Sequence, residues 1–153
     1  MTAMHTLPLL TPLVEPHELA ALIGPDADVA IIDCRHDLAR PQWGAESYAA
    51  GHIPGAAFAH LDRTLSGPLS STSGRHPLPA TEQLAATIGG WGIGPQTRAV
   101  AYDQGSGAIA ARLWWLLRFL GHSRAAVLDG GFAAWEAAGL PVTREAATRR
   151  PRR

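Results

Sequence analysis

Val29-Ala30-Ile31-Ile32-Asp33, Ala99-Val100-Ala101-Tyr102-Asp103 and Ala125-Ala126-Val127-Leu128-Asp129 share one form: four apolar residues closed by an aspartate. A half-exposed strand would alternate apolar and polar residues. These runs do not, so they read as strands buried on both faces, the habit of a parallel sheet. Helical patterns lie around them. Pro16 opens one that runs to Ile23 before Gly24, and Thr81 to Ile88 is a second, with Gly89-Gly90 behind it. The longest spans Ala108 to Leu120 and stops at Gly121; the last, Phe132 to Ala138, stops at Gly139. Proline at a helix start and glycine past its end fit the free N–H and C=O groups at those termini. Strands alternating with helices predict an α/β fold: one open, mainly parallel sheet of about five strands, with helices on both faces. Sites in such folds gather at the carboxyl ends of the strands, so Asp33, Asp103 and Asp129 are expected near one edge.

The length of 153 residues fits one domain. We place it at residues 1–143, with a polar, Arg-rich tail or linker remnant at 144–153. The chain has 13 basic and 13 acidic residues, so no net field favours DNA or an anionic membrane. Every basic residue other than histidine is an arginine, which excludes lysine Schiff-base chemistry. The tail ends Arg149-Arg150-Pro151-Arg152-Arg153 without interleaved aromatics and reads as a solvated linker, so no nucleic-acid partner is expected. No run approaches the roughly 20 apolar residues that span a bilayer. Met1 to Leu10 lacks the basic start of a signal peptide. The lone cysteine, Cys34, can form neither an internal disulfide nor a thiolate metal cage, and a reducing, cytoplasmic setting is expected.

Two stretches are more specific. Tyr48-Ala49-Ala50-Gly51-His52-Ile53-Pro54-Gly55-Ala56 follows a strand that ends Asp33-Cys34-Arg35, and Asp129-Gly130-Gly131-Phe132-Ala133-Ala134-Trp135 lies near the end. Gly51 suits a left-handed helix end, and Pro54-Gly55 a turn into a strand at Ala56 to Ala59. Asp33 and Arg35 could form a partly buried ion pair, and Gly130-Gly131 lets the chain turn directly from strand to helix. All of these, with His52, read as structural. Trp114 and Trp115 are adjacent on one helix, so one is expected in the core and the other toward a second domain.

In this order and spacing, with Arg112-Leu113-Trp114-Trp115-Leu116-Leu117-Arg118 between them, these motifs resemble a rhodanese domain from about Val14 to Thr143. The central helix is similar to that of the first of two tandem repeats in thiosulfate and 3-mercaptopyruvate sulfurtransferases. The resemblance implies a protein in which a second rhodanese domain, in cis or in trans, carries a cysteine persulfide, with a small sulfur donor and no metal or organic cofactor. Active rhodanese loops begin with a cysteine, whose anion is cradled by backbone N–H groups and a helix N-terminus. Here the loop is Asp103-Gln104-Gly105-Ser106-Gly107-Ala108: the glycines remain, but a carboxylate replaces the nucleophile and would repel thiosulfate. No catalytic residue is therefore expected in the isolated chain.

Cys34 ends a different strand and reads as a small buried hydrophobe. Ser106 has no histidine neighbour in sequence. His60-Leu61-Asp62 and Arg75-His76-Pro77-Leu78-Pro79 look similar to elements that, in mercaptopyruvate-type members, reach the partner domain's active-site serine. Asp62 and His76 are thus candidates for partner-domain support, an imidazole moving a proton while a carboxylate orients it. The plain alternative is a solvated loop histidine and a turn aspartate. The Leu65 to Pro79 stretch reads as an irregular loop. His5, His17, His36, His52, His60 and His122 show no metal-ligand spacing, and no metal is expected; His122 is expected to cap the helix before it. A different class also fits the missing cysteine: a stand-alone inactive rhodanese-homology module for binding or regulation.

Overall fold

The computed structural model describes residues 12–24 and 26–147; the Arg149 to Arg153 tail and the Met1 to Leu10 start lie outside them. The elements run β1 (Leu13–Val14), α1 (Pro16–Leu22), β2 (Val29–Asp33), α2 (Trp43–Ala50), β3 (Ala57–Phe58), α3 (Thr81–Gly90), β4 (Arg98–Tyr102), α4 (Ala108–Phe119), β5 (Ala125–Leu128) and α5 (Gly131–Ala137). The strands form one five-stranded sheet in the order β1-β5-β4-β2-β3, and every pairing is parallel. The fold is a single α/β domain, as the alternation of strands and helices in the sequence implied.

Strand side chains alternate between two cores. Ala30, Ile32, Ala99, Ala101, Ala125 and Val127 face Leu84 and Ile88 of α3 and Leu113, Leu116 and Leu117 of α4. Val29, Ile31, Val100, Tyr102 and Leu128 face Leu19 of α1 and Phe132 and Trp135 of α5. The apolar runs are continuous because helices cover both faces. Two elements went unread in the sequence. The two-residue β1 is too short to show a period. Helix α2, Trp-Gly-Ala-Glu-Ser-Tyr-Ala-Ala, has no apolar stripe at i, i+3 and i+4; its one fully buried residue is Gly44, where a Cβ would lie 2.0 Å from the carbonyl oxygen of Arg35.

Gly51 does not adopt the left-handed conformation expected of it. Its φ of 166° is extended, and glycine is needed for space, since a Cβ would meet Val142 Cγ1 at 2.8 Å. The positive φ in this segment belongs to Gly55, at 85°, just before β3. The strand expected from Ala56 to Ala59 is confined to Ala57–Phe58. After α4, Gly121 takes φ 90°, and the His122 N–H donates to Leu117 O. His122 thus closes the helix through its backbone, while its ring Nε2 lies 2.9 Å from Thr97 O.

Asp33 and Arg35 are buried outright, not partly as expected from sequence. Arg35 Nη2 lies 2.7 Å from Asp33 Oδ2 and also donates to Gly51 O at the end of α2. The Tyr102 hydroxyl donates to the same carboxylate oxygen at 2.8 Å and accepts the Ile53 N–H. The guanidinium carbon sits 4.0 Å over the Phe132 ring of α5. Removing one member of a buried pair leaves its partner charged and unpaired. Arg35→Ala should therefore destabilise the domain by about 3–5 kcal/mol, read as a lower urea midpoint; a loss under about 1 kcal/mol would show that water replaces the arginine.

Candidate functional site

The ends of β2, β4 and β5 lie side by side, so the residues that follow them share one edge of the sheet. Asp103, directly after β4, is 3% exposed. Its Oδ1 accepts the N–H groups of Gly105 and Gly107, each at 3.0 Å, and its Oδ2 accepts those of Ile109 and Ala110 at 3.1 and 3.0 Å. Gly107 makes this wrap possible with φ 84°. The carboxylate thus binds both the loop and the first turn of α4, where the helix dipole favours an anion. Gln104 and Asp103 also give their carbonyls to the N–H groups of Ala133 and Phe132 at the start of α5. Gly131 permits that approach: a Cβ there would meet Asp103 O at 2.5 Å. The Ser106 Oγ accepts the Ala108 N–H at 3.2 Å, a local turn contact.

Cys34 lies one residue beyond β2, fully buried in the core, with its Sγ 3.8 Å from Ile32 O. Burial pushes the thiol well above its ordinary range, and the charges of Asp33 and Asp103 push it further in the same direction. A protonated, enclosed sulfur is a poor nucleophile.

On the β2–β3 side a second group assembles. The His76 Nε2 is 3.1 Å from Asp62 Oδ1, so the two residues singled out in the sequence meet, and His76 is not the solvated loop histidine of the plain alternative. His36, the residue after Arg35, brings its Nε2 to 3.9 Å from Asp62 Oδ2. Burial holds the His36 imidazole below its usual range; Asp62 opposes that effect, while His60 and His76 add to it. His60 is held at both ring nitrogens: Nε2 lies 3.0 Å from Pro41 O, and Nδ1 accepts the Asp62 N–H at 3.1 Å. Ligand atoms of His36, His60 and Asp62 all fall within 4.8 Å of one another. Sequence spacing missed this grouping because His36 comes from the loop after β2 and His60 and Asp62 from the loop after β3.

The long loop is fixed from α4. Arg112 Nη2 donates to the carbonyls of Leu65, His76 and Pro77 at 3.1, 2.9 and 3.1 Å, and its Nε donates to Leu65 O. The main chain at His76 is therefore pinned, while its side chain stays 24% exposed beside the half-exposed carboxylate of Asp62. His52 is buried against the Thr143–Glu145 segment, its ring nitrogens 2.7 Å from Tyr48 O and 2.6 Å from Glu145 O. Trp114 packs on the core, whereas Trp115 is exposed and stacks on Phe119.

The model of the rhodanese-like domain family matches residues 15–138. The chain belongs to the rhodanese family. It is 45% identical over 141 residues to a Pseudomonas aeruginosa protein named probable 3-mercaptopyruvate sulfurtransferase, covering 91% of this chain and 49% of that protein. Among solved structures it is similar to the 3-mercaptopyruvate sulfurtransferase from Leishmania major, with a TM-score of 0.81 at 33% identity over 92% of this chain and 39% of that one. SseA from Escherichia coli, a 3-mercaptopyruvate sulfotransferase, gives 0.80 at 31% identity over 94% of this chain and 54% of that one. This rhodanese domain therefore spans about half the length of the relatives it matches. Among its described residues, no helix is long and apolar enough to cross a membrane.

Buried and protonated, Cys34 should be alkylated by iodoacetamide at pH 8 at least about 10²-fold more slowly than a free thiol, whose pKa is near 8.5. Full reactivity should return in denaturant. Rapid labelling of the native chain would show that the β2 end opens.

Proposed function

We propose that this domain is the non-catalytic, N-terminal-type repeat of a two-domain sulfurtransferase, with Asp103 occupying a pseudo-active site. The observation that carries this reading is the Asp103 carboxylate, which takes four backbone N–H groups of the loop and helix α4 for itself. Where an active loop would present a thiolate to those donors, this one has them satisfied by an oxygen anion that cannot take up a sulfane sulfur. An incoming thiosulfate would meet both a filled seat and a like charge.

In the whole protein, a cysteine persulfide on a second rhodanese domain would pass sulfur from 3-mercaptopyruvate or thiosulfate to a thiol or cyanide. The half-length coverage of the relatives supports that architecture. The buried lone thiol of Cys34 fits a reducing compartment such as the cytoplasm. This chain's own contribution is the Asp62–His76 couple. The carboxylate fixes the imidazole through the 3.1 Å contact, and Arg112 holds the backbone beneath it, so His76 can give or take a proton at a group on the facing domain.

The isolated chain should show no cyanide-dependent thiosulfate turnover above background, and Cys34→Ser should change nothing. Turnover that Cys34→Ser abolishes would overturn the pseudo-active-site reading.

In the two-domain protein, His76→Ala should slow turnover with 3-mercaptopyruvate by about 10²-fold or more, yet leave the melting temperature of this domain nearly unchanged, since Arg112 binds the main chain there and not the ring. Normal turnover with a large drop in melting temperature would make His76 structural.

A further inference from the structure

The Asp62 carboxylate has an imidazole on each side. Its Oδ1 faces His76 Nε2 at 3.1 Å, while its Oδ2 faces His36 Nε2 at 3.9 Å. The main chain beneath it is fixed, because the Asp62 N–H donates to His60 Nδ1 and the His60 Nε2 is tied to Pro41 O. What can still turn is the Asp62 side chain, 44% exposed. The proposed proton couple accounts for His76 and leaves His36 unexplained.

The surroundings of His36 favour an uncharged ring. Its side chain is 2% exposed, it meets His60 edge to face with ring centroids 5.3 Å apart, and its Nδ1 has no hydrogen-bond partner. An imidazolium there would leave an Nδ1–H buried and unpaired. A neutral ring with its proton on Nδ1 would suffer the same loss, which assigns that proton to Nε2, on the Asp62 side. At 3.9 Å the neutral N–H is too far from Oδ2 to hydrogen-bond. A full charge is not so limited, since Coulomb attraction falls only as the inverse of distance. Burial, the largest influence, holds the ring below the usual imidazole range; Asp62 and Asp37 favour its charge, and His60 and His76 oppose it. The change of state therefore falls in acid, below the free value of about 6.5.

We propose that His36 is a positioning residue that sets when the Asp62–His76 couple can form: uncharged, it leaves the carboxylate to His76, and protonated, it draws Oδ2 onto its own Nε2–H and loosens His76. Two imidazoles then compete for one carboxylate, and acid decides between them. The exchange needs no movement of the main chain, which Arg112 holds at His76 and His60 holds at Asp62. Only the effect of this competition on turnover rests on the function proposed above.

The test is a pH titration of the isolated chain, followed by long-range proton–nitrogen NMR of the imidazole rings. His36 should carry its proton on Nε2 at neutral pH and titrate below about 6.5. The His76 signals should move twice, once with their own protonation and again at the His36 midpoint. That second step should vanish in His36→Phe and in Asp62→Asn. Since His36 is buried, His36→Phe is read only alongside an unchanged circular dichroism spectrum, and the half-exposed Asp62→Asn carries the test if that variant misfolds. A single step at His76, a second step that survives Asp62→Asn, or a His36 midpoint at or above the free value would overturn the proposal. In the two-domain protein, the acid limb of kcat with 3-mercaptopyruvate should be shallower in His36→Phe by about one power of ten per pH unit. Should the NMR steps appear while that limb is unchanged, the competition stands and the proton role given to His76 fails.

Discussion

Arg35 is the point at which separate parts of the domain meet. Its guanidinium gives two hydrogens to Asp33 on β2 and one to the carbonyl that ends α2, and its face rests on Phe132 of α5. Asp33 in turn receives the hydroxyl of Tyr102 from the neighbouring strand β4, and that hydroxyl receives the N–H of Ile53. Burial and the adjacent carboxylate push the tyrosine far above its usual range, so its proton stays in place as a donor. Both Asp33 oxygens and the Tyr102 hydroxyl are answered, and this is what makes a buried charge pair tolerable. Without it, α2 would depend on Tyr48 and on the buried His52 and Ile53 that follow it, because α2 offers no apolar face of its own.

The carboxyl edge of the sheet is consequently divided in two. On the β4–β5 side the loop is closed on itself: Asp103 takes the N–H groups, and the start of α5 takes the carbonyls. On the β2–β3 side the groups are less completely paired, with one imidazole nitrogen unanswered and a carboxylate half open to solvent. Arg112 links the halves, since it rises from the helix that Asp103 caps and grips the loop that bears His76. A rigid support under a chemically open group is the arrangement that positioned side chains require.

Much of the fold was legible because three strands and four helices carry strong local signals. Unbroken apolar runs marked β2, β4 and β5, and Pro16, Gly121 and Gly139 marked helix ends. What escaped had tertiary causes. The pairing of β1 with β5 involves only Leu13 and Val14, and α2 shows no apolar stripe to mark it, being anchored instead by Arg35 at Gly51 O and by the Tyr48 hydroxyl at Ala56 O. Gly51 was misread because crowding by Val142, 91 residues along, looks in sequence like a demand for positive φ. The site was legible in its chemistry and not in its geometry. Asp103 showed from sequence that no thiolate stands there, but four N–H bonds to one carboxylate are a property of the folded loop. His36 carried no signal, because its approach to Asp62 depends on β2 and β3 lying side by side.

The seat at the head of α4 differs in kind from one that a free anion visits. A dissolved anion fills such a seat in proportion to its concentration and yields to competitors. Asp103 is held in the chain, and its carboxylate is present at an effective concentration of about millimolar or more however dilute the protein. Its occupancy therefore does not respond to the phosphate, sulfate or thiosulfate around it. The first turn of α4, and through Arg112 the loop beyond, keeps one shape across changes of ionic composition that would reset an open anion site.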